Sequence, residues 1–469
     1  MKKYIRLPVL QLISRIISRE GLRAYVIGGY VRDCLLHRPS SDIDVVVVGN
    51  GIELARKVAR ELGRGTQIHI FKNFGTAMVR TSGYEIEFVG ARKESYRRNS
   101  RKPLVENGTL EDDQKRRDFT INAMAICLND DNLGQFIDPF NGLADLEEKK
   151  IRTPLDPEIT FDDDPLRMLR AIRFAAQLNF HLDKDILRAI RHKRERMNII
   201  SGERITDELN KIMLSPRPSV GFRLLDETGL LEIILPELSR LKGVETKDDR
   251  AHKDNFYHTV KVLDNVSRKT DDLWLRWAAL LHDIAKPVTK KYDPGTGWTF
   301  HGHEYIGAKM IPDLFRRLKM PLHDRMKFVQ KMVELHLRPI ALAEDTVTDS
   351  AVRRLLYEAG DDIDSLMMLC EADITSKNED TVRRHLHNFR IVRKKIRELE
   401  EKDAIRNFQP PVRGDEIIAL FGLHPSKTVG VLKNAIKEAI LEGTIGNNRE
   451  EAMEYLIQLG RKMGLEVKK

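Results

Sequence analysis

The sequence predicts an α+β chain: a small mixed sheet with helices at the front, then helix to the end. Three observations carry this. Residues 25–48, YVIGGYVRDCLLHRPSSDIDVVVV, read as strand, glycine turn, short helix and strand. Residues 67–90, QIHIFKNFGTAMVRTSGYEIEFVG, continue the sheet as a hairpin-rich run. From about residue 160 onward, apolar residues recur at helical spacing behind proline, serine and acidic start signals. A chain of 469 residues is too long for one core, so three or four domains are expected.

Composition narrows the class. Hydrophobic residues make up 41% and charged residues 32%, as in a soluble, helix-rich globular protein. Lys plus Arg number 80 against 71 for Asp plus Glu, and the resulting +9 favours a polyanionic partner. Three cysteines, Cys34, Cys127 and Cys370, are too few for a disulfide framework and point to a reducing compartment. Arg15 and Arg19-Glu20 break the apolar core of any signal peptide, and no run of about 18 apolar residues exists. A cytoplasmic protein with no membrane partner is expected.

In chain order, residues 7–21 form an amphipathic helix. Tyr25-Val26-Ile27 is a strand ending at Gly28-Gly29, where the backbone can approach a phosphate closely. The helix that starts near Val31 carries Asp33 and Arg32, which can neutralise that phosphate. Asp42 and Asp44 open the second strand, and residues two apart on a strand point to the same side. Two adjacent carboxylates are costly unless a cation sits between them. Oxygen ligands of this kind suit Mg²⁺ shared with substrate phosphates. Ile52 to Leu62 is a short helix. In YEIEFVGA, alternation places Glu85 and Glu87 on one face, opposite Ile86 and Phe88. Glu87 is a candidate third carboxylate, the other reading being an exposed strand glutamate.

Residues 91–115, basic in front and acidic behind, with Pro103 and Gly108, read as a long polar loop, either a lid or a solvated insertion. Arg116 to Met124, RRDFTINAM, opens a helix leading to DPFNGLADLEEKKI at 138–151. Residues 162–180 form a helix with an acidic first turn and Pro165 near its start, and 201–214 another, capped by Ser201. Between 252 and 375 lie His258, then His282-Asp283 inside an otherwise apolar helix, then His301, His303, His336 and Asp373. Charged groups are rarely buried without a partner or a metal. Mixed imidazole and carboxylate ligation suits Mn²⁺, Ni²⁺, Fe or Zn²⁺. The tail, 401–469, reads as short helices joined by glycine turns.

The order GGxVRD, eight residues, DID resembles the signature of the DNA-polymerase-β-like nucleotidyltransferases. With RRDFTINAM, DPFNGLADL and the 162–214 helices, it resembles more narrowly the class II tRNA CCA-adding enzymes and bacterial poly(A) polymerases. Asn141 stands where many members have glycine, and Asp163-Asp164 where the pattern often has Glu-Asp. The resemblance implies addition of C, C and A to tRNA 3′ ends from CTP and ATP without a nucleic-acid template. It implies that Gly29 and Arg32 contact the triphosphate, that Asp42 and Asp44 hold two Mg²⁺ ions, and that Arg117 grips the nucleotide. Base selection falls on Asp164 and Arg167, taken as helix neighbours three residues apart. An accepting carboxylate and a donating guanidinium fit cytosine and adenine, whereas uracil and guanine would leave groups unpaired. Arg170 and Arg173 continue the spacing, with Arg173 turned nearly opposite Asp164.

The order His, His-Asp, His, His, Asp resembles the HD-type metal-dependent phosphohydrolases. His258, His282, Asp283 and Asp373 are the implied ligands. His303 and His336 complete a two-metal set, and His301 is the likelier non-ligand. Phosphatase or 2′,3′-cyclic phosphodiesterase activity is implied, with a transition metal such as Ni²⁺ or Mn²⁺. The domains expected are a nucleotidyltransferase head at 1–155, a helical neck at 156–245, an HD domain at 246–400 and a tRNA-binding tail at 401–469. The alternatives are a poly(A) polymerase, a CC- or A-adding enzyme, or a phosphohydrolase whose head only binds RNA. The length of 91–115 counts against the CC-only enzyme, the HD segment against poly(A) polymerase, and the intact Asp42, Asp44 and Arg32 against the last.

Overall fold

In this computed structural model, the strands β1 (Arg23–Ile27), β2 (Asp42–Val48), β3 (Gln67–Phe71), β4 (Thr76–Thr81) and β5 (Tyr84–Gly90) come first in the chain. β6 (Arg92–Ser95) and β7 (Leu104–Asn107) form a separate two-stranded ladder. β8 (Ala125–Cys127) and β9 (Phe136–Ile137) complete a seven-stranded sheet ordered β3-β4-β5-β2-β1-β8-β9. The sheet is mixed as expected: β2 and β5 run parallel, and the other neighbours antiparallel. The structure describes all residues except 64, 73–74, 96–103, 248–249, 252–253, 345–347, 376–377, 404–405, 407 and 469.

β2 is buried along its length and polar only at its mouth. Ile43, Val45, Val46 and Val47 are buried, while Asp42 and Asp44 at its mouth are not. The helix Gly51–Leu62, capped by the Asn50 side chain, buries Leu54, Ala55 and Val58 against β4 and β5. The opening helix, Pro8–Arg19, buries Leu10, Ile13, Ile16 and Ile17.

Several sequence expectations need correction. The 91–115 segment is not one loop: its ends pair as β6 and β7, and Leu110–Lys115 is a helix started by a Thr109–Asp112 capping box. Its middle, 96–103, lies outside the described residues. RRDFTINAM opens no helix. It is a turn with a short 3₁₀ segment, Thr120–Asn122, running into β8. The Asp118 carboxylate accepts from the Phe119 N–H and the Asn122 amide, a local bonding that competes with helix. The 162–180 helix starts later, at Leu166 and runs to Leu178, while Asp162 and Asp163 end a preceding helix, Pro157–Asp163. Asp164 between them is extended, φ −140° and ψ 103°, because a residue before proline is pushed out of the helical region. Ser201 does precede the helix Gly202–Met213, but its hydroxyl makes no capping bond among the described residues.

The chain divides into two compact units, Met1–Leu235 and Pro236–Lys469. Segments 1–155 and most of 156–245 lie in the first, and 246–400 and 401–469 in the second. In the second unit the helices Asn255–Ser267, Leu273–Leu281, His303–Arg317, Asp324–Leu335 and Ile363–Asp373 pack around the fully buried Phe256, Trp277 and Phe315. The apolar helix ends at Leu281, so His282 and Asp283 close it rather than lie within it. The tail carries the helices Gly414–Phe421, Lys427–Glu442 and Arg449–Lys462. The first two end on left-handed glycines, Gly422 and Gly443.

Candidate active site and candidate metal centre

A cavity of about 500 Å³ opens over the carboxylate end of β2. The parallel register sets Asp44 opposite Glu87 and Asp42 opposite Glu85. All four line the cavity. Glu85 is tied to Arg80 at 2.7 Å, whereas Asp42, Asp44 and Glu87 have no ion pair among the described residues. Burial raises the Asp44 carboxyl above its ordinary range. Arg117 offsets part of this, and the charges of Glu87, Asp42 and Asp113 add to it. Asp42 and Asp44 on one strand face, with Glu87 in register beside Asp44, offer the oxygen ligands that a hard divalent cation takes together with substrate phosphates.

Gly28 makes room for this arrangement. Its φ is +82°, and a Cβ there would lie 2.9 Å from both Asp44 Oδ2 and Arg117 Nη1. Gly29 begins the short helix Gly29–Leu35 and lines the cavity beside Arg32. The Arg32 guanidinium is held in place by both oxygens of Asp33, each at 2.9 Å, and by the Asn122 side-chain oxygen Oδ1 at 2.7 Å.

The opposite wall comes from two segments. Arg117 reaches in from the turn before Asp118, anchored to the fully buried Asp113 at 3.2 Å. On the helix Leu166–Leu178, Arg170, Arg173, Phe174 and Gln177 share one face and line the cavity. Asp118 is paired with Arg170 at 2.6 Å. Burial opposes its charge, yet Arg170, the Asn122 amide and Arg167 hold its carboxyl down at about 2. Arg173 is paired with the buried Glu208 at 3.1 Å, and burial lowers it to about 10 despite that partner. Phe174 ties the wall together: Arg32, Arg170 and Arg173 lie 5.0, 5.7 and 4.2 Å from its ring centre.

Asp164 and Arg167 do not line this cavity. Asp164 lies outside the helix, at its start: its carbonyl accepts from the Arg167 N–H at 3.0 Å and its carboxylate from the Leu166 N–H at 3.2 Å. Asp164 pairs with Arg204 at 3.1 Å, and Arg167 donates to the Arg116 carbonyl at 2.7 Å. Arg173, expected on the far side, lines the cavity. Asp33, Asp113, Asp118, Asn122 and Phe174 were not singled out as site residues. Asp33, Asp118 and Asn122 did lie inside quoted motifs, as the last letter of GGxVRD and within RRDFTINAM.

The second cluster gathers His258, His282, Asp283, His303, His336 and Asp373. Asp283 sits at its centre. Its Oδ2 lies 3.5 Å from His258 Nε2 and 3.2 Å from His282 Nε2, and its Oδ1 3.2 Å from His303 Nε2 and 3.9 Å from His336 Nε2. Asp373 lies 2.8 Å from His258 Nε2. His301 is exposed and outside the cluster. Three rings share one device. Nδ1 of His282, His303 and His336 bonds the carbonyl three residues back, on Ala279, Phe300 and Val333, at 2.7–2.8 Å. A carbonyl only accepts, so each Nδ1 carries a proton and each Nε2 is left to face the carboxylates. Those three Nε2 atoms are buried without a hydrogen-bond partner. Burial lowers the His282 pKa, but Asp283 and Asp373 overcome it and carry it up to about 10; burial and the charge on His282 take His336 down to about 4. A cation among the Nε2 atoms would replace the proton that the carboxylates draw onto His282, so the donor set fits a divalent metal.

Paired carboxylates on one strand, under a glycine-led helix with a guanidinium, define a nucleotidyltransferase head. The chain matches the Poly A polymerase head domain over residues 24–152, the "Probable RNA and SrmB- binding site of polymerase A" over 179–242 and the HD domain over 255–378. It is 33% identical over 438 residues to the A-adding tRNA nucleotidyltransferase of Deinococcus radiodurans, covering 91% of this chain and 93% of that protein. It is 36% identical over 313 residues to the multifunctional CCA protein of Pseudomonas fluorescens, covering 64% and 71%. Among solved structures, it is similar to a tRNA nucleotidyltransferase complexed with a primer tRNA and an incoming ATP analog, at TM-score 0.58 and 27% identity over 83% of this chain and 99% of that one. The chain belongs to the tRNA nucleotidyltransferase and poly(A) polymerase family, with an HD domain. No helix among the described residues is long and apolar enough to cross a membrane.

Proposed function

We propose that this chain rebuilds tRNA 3′ ends, adding C, C and A from CTP and ATP without a nucleic-acid template. The observation that carries this is the register of Asp42, Asp44 and Glu87, three carboxylates without ion-pair partners among the described residues, facing Arg32, Arg117 and Arg170 across one cavity. The primer 3′-hydroxyl attacks the α-phosphorus, the bond to the bridging oxygen breaks, pyrophosphate leaves and the hydroxyl proton is released. Asp42 and Asp44, with Glu87 beside them, would hold Mg²⁺, which would supply acidification of that hydroxyl and charge neutralisation at the pyrophosphate. Gly28 and Gly29 let the triphosphate approach the backbone, and Arg32 and Arg117 pair with it. Arg170 and Arg173 complete the cationic wall on which the nucleotide rests. Base selection is assigned to Asp164 and Arg167. Both are engaged, with Arg204 and the Arg116 carbonyl, so selection requires an exchange of partners when a nucleotide enters.

The histidine cluster supports a second activity, hydrolysis of a phosphate monoester or a 2′,3′-cyclic phosphate, with Ni²⁺ or Mn²⁺ as the metal. Its support is the set of unpartnered Nε2 atoms around Asp283.

A-addition alone is a second reading of the head, favoured by the identity with the Deinococcus relative along 91% of this chain. One experiment decides. tRNA ending at the discriminator base, and tRNA ending in CC, are each offered CTP and ATP singly and together. CCA on the first substrate supports the full activity. Extension of only the CC-ended substrate, by one A, supports the second reading. Long A tails would make the chain a poly(A) polymerase.

A further inference from the structure

Among the described residues, His258 is the one ring of the histidine cluster whose Nδ1 meets a side chain. That atom lies 2.8 Å from the Thr375 hydroxyl, whereas Nδ1 of His282, His303 and His336 each meets a carbonyl. Thr375 stands two residues beyond Asp373, past the end of the helix Ile363–Asp373. The helix Asn255–Ser267 grips that stretch at three points. The Asn265 amide donates to the Ala372 carbonyl at 2.9 Å, and the Lys261 ammonium to the Thr375 carbonyl at 3.2 Å. His258 meets both the Asp373 carboxylate and the Thr375 hydroxyl. Positions 258, 261 and 265 are three and four apart, so their side chains share one helix face. The hydroxyl is thus held beside Nδ1 by its backbone as well as by the ring.

A hydroxyl and a carbonyl act differently at Nδ1. A carbonyl only accepts, so it admits only a ring with a proton on Nδ1. A hydroxyl donates or accepts by turning about its C–O bond. His258 has a use for that freedom. Its Nε2 lies 2.8 Å from Asp373 Oδ1 and 3.5 Å from Asp283 Oδ2. An ionised carboxylate only accepts, so the proton on the shorter contact belongs to Nε2. Nδ1 of the neutral ring then has a lone pair and accepts from the Thr375 hydroxyl. Ligation of a metal through Nε2 demands the reverse. Nε2 releases its proton to water, Nδ1 takes one up, and the ring stays neutral. The hydroxyl turns and accepts from Nδ1.

We propose that Thr375 is a positioning residue for metal capture. Its hydroxyl lets His258 pass from the form that pairs with Asp373 to the form that ligates, and orients the ring in both. This rests on the metal-centre reading of the cluster, and not on any hydrolysis there. Groups outside the ligand set that bond a ligating histidine are typically worth about 10- to 100-fold in metal affinity.

Metal-free full-length protein is titrated with Zn²⁺ by calorimetry, with the His282→Ala, Asp283→Ala double variant as the blank. Saturable binding beyond the blank is expected of the wild type. Thr375→Val keeps the side-chain shape and removes the hydroxyl. It should weaken that binding by about 10- to 100-fold, and Thr375→Ser should restore it to within about threefold. Equal affinity in folded Thr375→Val overturns the proposal and leaves the metal centre standing. No binding beyond the blank overturns the metal reading, and this proposal with it. A second measurement does not depend on the valine variant. ¹⁵N-histidine spectra are recorded before and after Zn²⁺, the His258 signals being those lost in His258→Gln. His258 should carry its proton on Nε2 before the metal and on Nδ1 after it. A ring already protonated on Nδ1 before Zn²⁺ overturns the exchange. If Zn²⁺ binding depends on Thr375 yet neither p-nitrophenyl phosphate nor 2′,3′-cyclic AMP is hydrolysed, the phosphohydrolase reading falls and the role of Thr375 stands.

Discussion

Asp44 and His336 each hold a donor atom that has no hydrogen-bond partner among the described residues, but different supports hold them. Asp44 is aimed by strand alternation and by the parallel register with Glu87, and its surroundings are side chains: Arg117, Asp113, and the Arg32–Asp33 pair. His336 is aimed by main chain, through the Val333 carbonyl, and is 1% exposed. The first site is a half-open cavity that a large polyanion could enter and leave, with charges that can trade partners. The second is a preset cluster in which three rings have Nδ1 fixed on main chain before anything binds. Open, side-chain-supported sites suit a reaction in which the substrate changes at every step. Main-chain-locked imidazoles suit one fixed metal geometry.

The comparison can be broken first at Asp44. Asp44→Asn should lower nucleotide incorporation by about 10³-fold or more, as loss of a transition-state charge ligand does. tRNA affinity should change little, because it comes mostly from phosphate contacts. Primer extension and filter binding measure the two, and near-normal extension in Mg²⁺ would remove Asp44 from the site. The matching break in the other unit is His282→Ala with Asp283→Ala. It should abolish metal-dependent hydrolysis of p-nitrophenyl phosphate and of 2′,3′-cyclic AMP while leaving nucleotide addition within about threefold, once circular dichroism confirms folding. Equal hydrolysis by the folded double variant would dissolve the metal assignment.

Asp118 sharpens the contrast through pH. Its folded carboxyl titrates near 2, against an ordinary 3.8. The folded value is the lower one, so the stabilisation is fully present above about pH 4 and is lost as pH falls toward 2. It is worth about 2 kcal/mol. Asp118→Asn should remove that part of the acid slope in urea unfolding of the N-terminal unit, and an unaltered slope would mean the Arg170 pair contributes nothing. The smallest expected effect is at Arg167. Arg167→Ala should relax discrimination against UTP and GTP and lower the rate with CTP, each by about tenfold. Unchanged selectivity would move base selection onto Arg170 and Arg173, the arginines that line the cavity.

Much of the first site was legible because its parts are local. Asp42 and Asp44 sit two apart on one strand, and Arg32 follows a glycine pair directly. Alternation also placed Glu87 on the right face, although its register against Asp44 needed the fold. The helix-face argument for Asp164 and Arg167 took both as helical, whereas Asp164, preceding Pro165, is extended and only starts the helix. Phe174 was invisible, since an aromatic on a helix reads as core until three guanidiniums are seen around it. In the C-terminal unit the order of histidines and aspartates placed the cluster. Nothing in the letters revealed that the rings bond the carbonyl three residues back, because that depends on where each helix begins or ends.

The parallel pairing of β2 with β5 has a consequence for biogenesis. The alternation that turns Asp42, Asp44, Glu85 and Glu87 toward the cavity also buries Ile43, Val45, Ile86 and Phe88 on the other side. A slip of one residue would bury carboxylates and expose the aliphatic set at once. The core therefore proofreads the site: a molecule that has packed its valines correctly has, by the same act, brought its acidic residues into line. Misassembled copies would betray themselves through exposed apolar strand, available to quality control before they could process a single RNA.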